Sequence, residues 1–192
     1  MIKIELKDFL KLTKEDISKK LIAFSTDTVF GVGVLVDQNV MDGVNKIYQM
    51  KKRDLNKPLA VLISDIKQVE ENININEQAK KLIPFWPGAL TIIFEKKNND
   101  IFPFTKDTIG LRIPNSKIAL SILNRFGPFV TTSINYSGES SINSPEEIDE
   151  KFHEYIDYLV IDNEERSNVS STVVDVSKKD IKILRQGTIK IC

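Results

Sequence analysis

Residues 21–36, LIAFSTDTVFGVGVLV, limit the fold more than any other stretch. The first apolar run, 21–24, is long enough for a buried strand and too short for a helix with a face of its own. Ser25, Thr26, Asp27 and Thr28 then interrupt it with small polar side chains. Buried without partners, such groups would cost on the order of 1–3 kcal/mol each, so they must meet water, a ligand or one another. The second run, 29–36, carries Gly31 and Gly33, where a backbone must come close to something. The stretch reads as a strand end presenting hydroxyls at the lip of a pocket; the plainer alternative is a β-turn between two strands that happen to contain glycine.

The same alternation continues along the chain. Thr13, followed by Glu15 and Asp16, starts a helix predicted to end near Lys20. Asp37 can cap a helix in which Val40, Met41, Val44, Ile47 and Tyr48 keep the i, i+3, i+4, i+7 rule, with Lys51, Lys52 and Arg53 complementing the dipole at its end. PLAVLI (58–63) is a strand, and a helix over 76–83 ends at Pro84. Trp86, Pro87 and Gly88 make a rigid turn into a buried strand over 89–94. TIGLRIP (108–114) is a strand with Arg112 among apolar neighbours, a placement that calls for an anionic partner. A helix over 116–126 leads into PFVTTSINYSG, a second apolar run that dissolves into Thr131, Thr132, Ser133 and Asn135. Pro145 opens a helix to about Phe152, 158–161 is a strand, and STVVDVS and IKILRQG close the chain as two strands with Ser171, Thr172 and Arg185 near their ends. Strands alternating with helices argue for an α/β fold, and the strand-rich last third for some antiparallel pairing. The expectation is a single domain over 1–192, a mixed, twisted sheet flanked by helices.

Composition removes several classes of function. Lys plus Arg and Asp plus Glu both number 27, so no global charge drives the chain onto nucleic acid or a membrane, and any anion site must be a local cluster. Cys192 is the one cysteine and His153 the one histidine, which excludes a structural zinc site and a disulfide framework and leaves little room for a Cys–His catalytic pair. The N-terminal MIKIELKDFLKLTKED lacks the apolar centre of a signal peptide, and no apolar run approaches the roughly 20 residues of a membrane span. A cytoplasmic protein without membrane partners is expected.

Walker, dinucleotide and nucleophile-elbow signatures are all missing, as are metal-spaced His or Cys sets. What remains is distributed: hydroxyls at Thr26, Thr28, Ser133, Ser141 and Ser171, the amide of Asn135, and cations at Lys51, Arg53, Arg112 and Arg185. All sit near predicted element ends, and open α/β sheets build ligand sites from such ends. Guanidinium forks would suit a polyanion such as a triphosphate. Spacing alone does not decide between this and a set of separate surface groups.

Seven motifs, STDTVFGVG, KKR with KPLAVLIS, WPGALTIIF, TIGLRIP, TTSINYSG, STVVD and ILRQG, stand in the order found in the YrdC family, the threonylcarbamoyl-AMP synthases, from about Leu21 to Thr188. The chain resembles the single-domain form. The K-x-R and S-x-N signatures are Lys51-Lys52-Arg53 and Ser133-Ile134-Asn135. The resemblance implies a YrdC-like fold around a concave, positively charged cavity. It implies an enzyme that converts L-threonine, bicarbonate and ATP, with Mg²⁺ on the phosphates, into threonylcarbamoyl-adenylate and pyrophosphate. A threonylcarbamoyl transferase complex would then modify tRNA.

By the same resemblance Thr28, Arg112, Thr131 and Ser171 correspond to threonine contacts, and Arg53, Lys57, Thr108, Ser133, Ser141 and Arg185 to ATP contacts. Lys51, Arg53, Ser133 and Asn135 would form the catalytic set, with no metal ligand among the side chains. Ser25 replaces a frequent Pro, Leu62 aligns with a histidine that helps hold threonine in some members, and Asn168 and Ser170 replace the usual Gly and Glu before S-T-V. Two rivals share the fold: a non-catalytic module gripping double-stranded RNA or tRNA, and a paralogue of different carbamoyl chemistry. Both complete signatures favour the enzyme.

Overall fold

The computed structural model describes residues 1–97, 101–161 and 165–191; Cys192 lies outside them. In chain order the elements are β1 (Ile2–Glu5), α1 (Leu6–Phe9), α2 (Lys14–Ile17), β2 (Ile22–Ser25), β3 (Phe30–Leu35), α3 (Val40–Lys51), β4 (Ala60–Leu62), β5 (Ile73–Asn74), α4 (Glu77–Leu82), β6 (Leu90–Lys96), β7 (Thr108–Arg112), α5 (Lys117–Phe126), β8 (Phe129–Ser133), α6 (Pro145–Phe152), β9 (Tyr158–Ile161), β10 (Thr172–Asp175) and β11 (Lys182–Arg185). The strands form one mixed sheet in the order β1-β9-β2-β3-β8-β4-β7-β6-β10-β11, with β5 on the outer end of β6. β10 lies parallel to β6 and antiparallel to β11, the mixed pairing expected of the last third.

Strand alternation sorts the sheet into two faces. On the back, Leu21, Ala23, Phe30, Val32, Val34, Val61, Leu90, Ile92, Phe94, Ile109, Leu111, Val130 and Val174 pack with Val40, Val44 and Ile47 of α3. On the front, Ile22, Phe24, Leu35, Leu62, Phe129 and Val160 meet Ala119, Ile122, Leu123 and Phe126 of α5 and Phe9 of α1. That front core is centred on β9, β2, β3 and β8. Farther along the same face, on β4, β7, β6 and β10, the alternate positions are Ala60, Thr91, Ile93, Thr108, Gly110, Arg112, Ser171 and Val173, and these line an open cavity. One strand pattern thus yields a dry core where a helix lies over it and a polar hollow where none does.

Several predicted boundaries shift. The helix predicted from Thr13 to Lys20 is a single turn: Thr13 makes a full capping box with Asp16, and Lys19 adopts a positive φ of 60° that ends it. Asp37 accepts the Asn39 N–H instead of capping α3, whose cap position is Asn39. Pro84 does not stop the chain's coiling, since a 3₁₀ turn, Ile83–Phe85, continues through it, where a proline in the first turn lacks nothing. β1 and β5, absent from the sequence reading, are short edge pairings whose residues are half polar. Among the described residues no helix is long and apolar enough to cross a membrane.

Candidate functional site

The cavity, about 260 Å³, is floored by the front positions of β4, β7, β8, β6 and β10 and rimmed by the Thr26–Thr28 turn, Arg53 and Ser170. It gathers Thr28, Arg53, Thr108, Arg112, Thr131, Ser133, Ser171 and Arg185, eight of the site residues expected from sequence. Lys51, Lys57, Asn135 and Ser141 are not among its lining residues.

At one end stands Arg112, 5% exposed. Its Nε donates to Gly88 O at 2.9 Å, one terminal nitrogen to Thr28 Oγ1 at 2.9 Å and the other to Asp27 Oδ1 at 2.5 Å. Asp27 is therefore the anionic partner the strand sequence called for, and it also receives the Asn115 N–H. Burial pulls Arg112 below the usual guanidinium range, and the Asp27 carboxylate offsets that pull. Thr28 Oγ1 in turn shares a 2.9 Å bond with Thr26 Oγ1, which donates to Val29 O. The polar turn of the opening stretch is thus satisfied internally and by Arg112, except at Ser25, whose buried Oγ has no partner among the described residues.

Gly31 and Gly33 face Thr131: a Cβ on either would come within 2.9 Å of its side chain. The close approach foreseen for these glycines is this strand-to-strand contact, which seats Thr131 in the floor. Gly187 does the same for Ser171, since a Cβ there would lie 2.4 Å from Ser170 O and 2.5 Å from Thr172 N. Asn168, φ 57°, occupies the left-handed region where the resemblance leads one to expect glycine, and asparagine tolerates it.

Beside Ser171, Arg185 donates through Nε to Ser171 O at 3.0 Å and through its terminal nitrogen to Ser171 Oγ at 3.1 Å, near enough to Arg112 for the two charges to repel. Arg53 is held by Lys57 O and Pro58 O. Among the described residues neither guanidinium has a carboxylate within 4.0 Å. Arg112 is neutralised by Asp27, whereas Arg53 at the rim and Arg185 beside Ser171 have no carboxylate partner among the described residues and keep their positive charge for a ligand.

Lys51 is 1% exposed, unlike the surface cation its place at a helix end suggests. Its Nζ donates to Ser133 O at 2.5 Å, Asn135 O at 3.0 Å and Asn135 Oδ1 at 2.6 Å. Ser133 Oγ donates to the same Oδ1, and Asn135 Nδ2 to Tyr136 O and Glu139 O. The two signatures thus meet in one hydrogen-bonded knot beside the cavity. Burial foremost, then the charge of Arg53, brings Lys51 down to about 7, while its three acceptors favour the ammonium, because a neutral amine has only two N–H groups to give.

Thr91 and Asp27, unassigned by the sequence reading, also belong here. Thr91, 6% exposed, lines the cavity and shares a 2.8 Å bond with Ser171 Oγ. Its only mark in the sequence is a polar residue at a front position of the run ALTIIF.

Residues 17–187 match the Sua5/YciO/YrdC family, whose description reads telomere recombination. The chain belongs to this family. A Methanocaldococcus jannaschii member, a putative threonylcarbamoyl-AMP synthase, is 35% identical over 96% of this chain and 86% of its own length. Among solved structures, Pyrococcus abyssi Sua5 complexed with L-threonine superposes with a TM-score of 0.83 at 30% identity, over 97% of this chain and 58% of that one. Escherichia coli YciO, at 19% identity and a TM-score of 0.82, shares the Sua5/YciO/YrdC fold. The chain thus spans most of the Methanocaldococcus relative but little more than half of the Pyrococcus protein.

Proposed function

We propose that this chain is a threonylcarbamoyl-AMP synthase, joining L-threonine, bicarbonate and ATP into threonylcarbamoyl-adenylate with release of pyrophosphate and water. The observation that carries it is the gathering, in one cavity, of the hydroxyls and guanidiniums that the family resemblance assigns to the two substrates. The 35% identity to a putative synthase and the shared fold of a protein crystallised with L-threonine support the same reading.

The amine of threonine adds to bicarbonate and loses water, giving a carbamate. A carbamate oxygen then attacks the α-phosphorus of ATP, and the bond from that phosphorus to the bridging oxygen of pyrophosphate breaks. The Thr28–Arg112–Ser171 corner suits the amino acid, because its donors are buried and stand close together. Arg53 and Arg185, without carboxylate partners, suit the triphosphate and the charge that builds on departing pyrophosphate. A carbamate decomposes readily in water, and a recessed cavity slows that loss. No side-chain nucleophile is needed; positioning and electrostatics supply the acceleration.

Mg²⁺ finds no cage here. Among the described residues no three His, Cys, Asp or Glu side chains come together, and the cavity lining holds no carboxylate. The protein's own share in holding phosphate is the arginine pair, and any Mg²⁺ would come bound to the nucleotide. The threonylcarbamoyl-adenylate would pass to a threonylcarbamoyl transferase complex acting on tRNA. Pyrophosphate release from ATP tests the reaction: it should require both threonine and bicarbonate, and release that ignores threonine would refute the assignment.

A further inference from the structure

Ser171 Oγ lies 3.1 Å from a terminal nitrogen of Arg185 and 2.8 Å from Thr91 Oγ1. A guanidinium only donates, so one lone pair of Ser171 is filled by Arg185. Between the two hydroxyls there are then two orders. If Thr91 donates, both lone pairs of Ser171 are occupied and the Ser171 proton is left over. If Ser171 donates, the Thr91 proton is left over. Either order leaves the pair with one hydroxyl proton and no protein acceptor for it among the described residues, and both residues are more than nine-tenths buried in the cavity wall.

The neighbourhood indicates what takes that proton. The antiparallel pairing of Ile92 with Leu111, carried one step on, sets Thr91 beside Arg112 on the front face. Arg112 has five N–H groups and spends three on Gly88, Thr28 and Asp27. The corner is rich in donors, while the nearby Asp27 carboxylate and Gly88 carbonyl are already engaged by Arg112. A carboxylate matches it; a base or sugar does not.

We propose that Thr91 is a further binding residue of the amino-acid end, sharing with Ser171 a single proton that either hydroxyl can give to a carboxylate oxygen of bound threonine. This rests on the threonine reading of the cavity. Two hydroxyls with one proton to spare compensate for each other. When Thr91 becomes Val, Ser171 keeps a proton for the ligand; when Ser171 becomes Ala, Thr91 does. Only the double change removes the donor.

Calorimetric titration of L-threonine into wild type, Thr91→Val, Ser171→Ala and the double variant tests this. Wild type should bind; no binding would overturn the functional reading and this inference with it. Thr91→Val should weaken threonine by about threefold, Ser171→Ala by about tenfold because it also releases Arg185, and the double variant by well over 100-fold, beyond the product of the two. Thr91→Ser should bind as wild type does. A double variant no weaker than that product, or Thr91→Val alone matching it, would overturn the shared proton while leaving the threonine site standing. Thermal melting checks folding throughout. Should the double variant unfold, Thr91→Val with Ser171→Cys takes its place, with the same excess loss expected from the weaker thiol donor.

Discussion

Two buried polar residues carry opposite lessons. Ser25 is fully buried with a hydroxyl that has no partner among the described residues, and its strand position is one that the resemblance gives to proline. Removing an orphan hydroxyl relieves a desolvation penalty, so Ser25→Ala should raise unfolding stability by about 1 kcal/mol in urea titration. Lys51, by contrast, is buried as an ammonium among oxygen acceptors. Its folded pKa of about 7 lies below the 10.5 it has in the unfolded chain. Below pH 7 both states hold the proton and the burial penalty is present in full. Between 7 and 10.5 the unfolded chain binds more protons than the native one, so this residue's contribution to stability rises with pH across that window. Urea titrations of wild type and Lys51→Met should therefore show the wild-type-minus-variant stability climbing from pH 7 to 10, by at most about 1.4 kcal/mol per unit. A flat difference would contradict the lowered pKa.

Among the elements, β3 and the β10–β11 hairpin decide where site residues stand. Gly187 lies against the backbone of Ser171, and its N–H donates to Thr172 Oγ1 at 2.9 Å. Gly187→Ala would push the strand start away, and threonine affinity should fall at least about tenfold with little change in the far-UV spectrum. Much of this level could be read from sequence, since runs such as GLR and TTS announce strands whose alternate positions are polar and therefore face a ligand or water. Arg112's need for an anion was equally legible, though not that Asp27 would meet it, because that pairing joins positions 85 residues apart. Thr91 was missed because a single threonine in a strand is also what β-propensity favours. The burial of Lys51 was missed because a cation at a helix end has a sufficient surface role, and only the fold brings Ser133 and Asn135 to it.

Over the whole molecule, equal numbers of acidic and basic residues mean that attraction for a nucleotide must be local. Arg53 supplies part of it from the rim, away from Arg112. Arg53→Ala should weaken ATP by about 10- to 100-fold while threonine affinity stays within about twofold, as read by separate binding titrations. Equal losses for both ligands would contradict the division of the cavity into two ends. The cavity itself follows from the sheet, whose front face is closed by α5 over β2, β3 and β8 and left open over β7, β6 and β10. The open part is where the two substrates must meet. Incubating the protein with ATP, threonine and carbon-labelled bicarbonate, then identifying the labelled product by mass, tests this most directly. Label is expected in an adenylate that also contains threonine and disappears when threonine is withheld. Label that never enters a threonine-containing adenylate would contradict the proposed chemistry of this cavity.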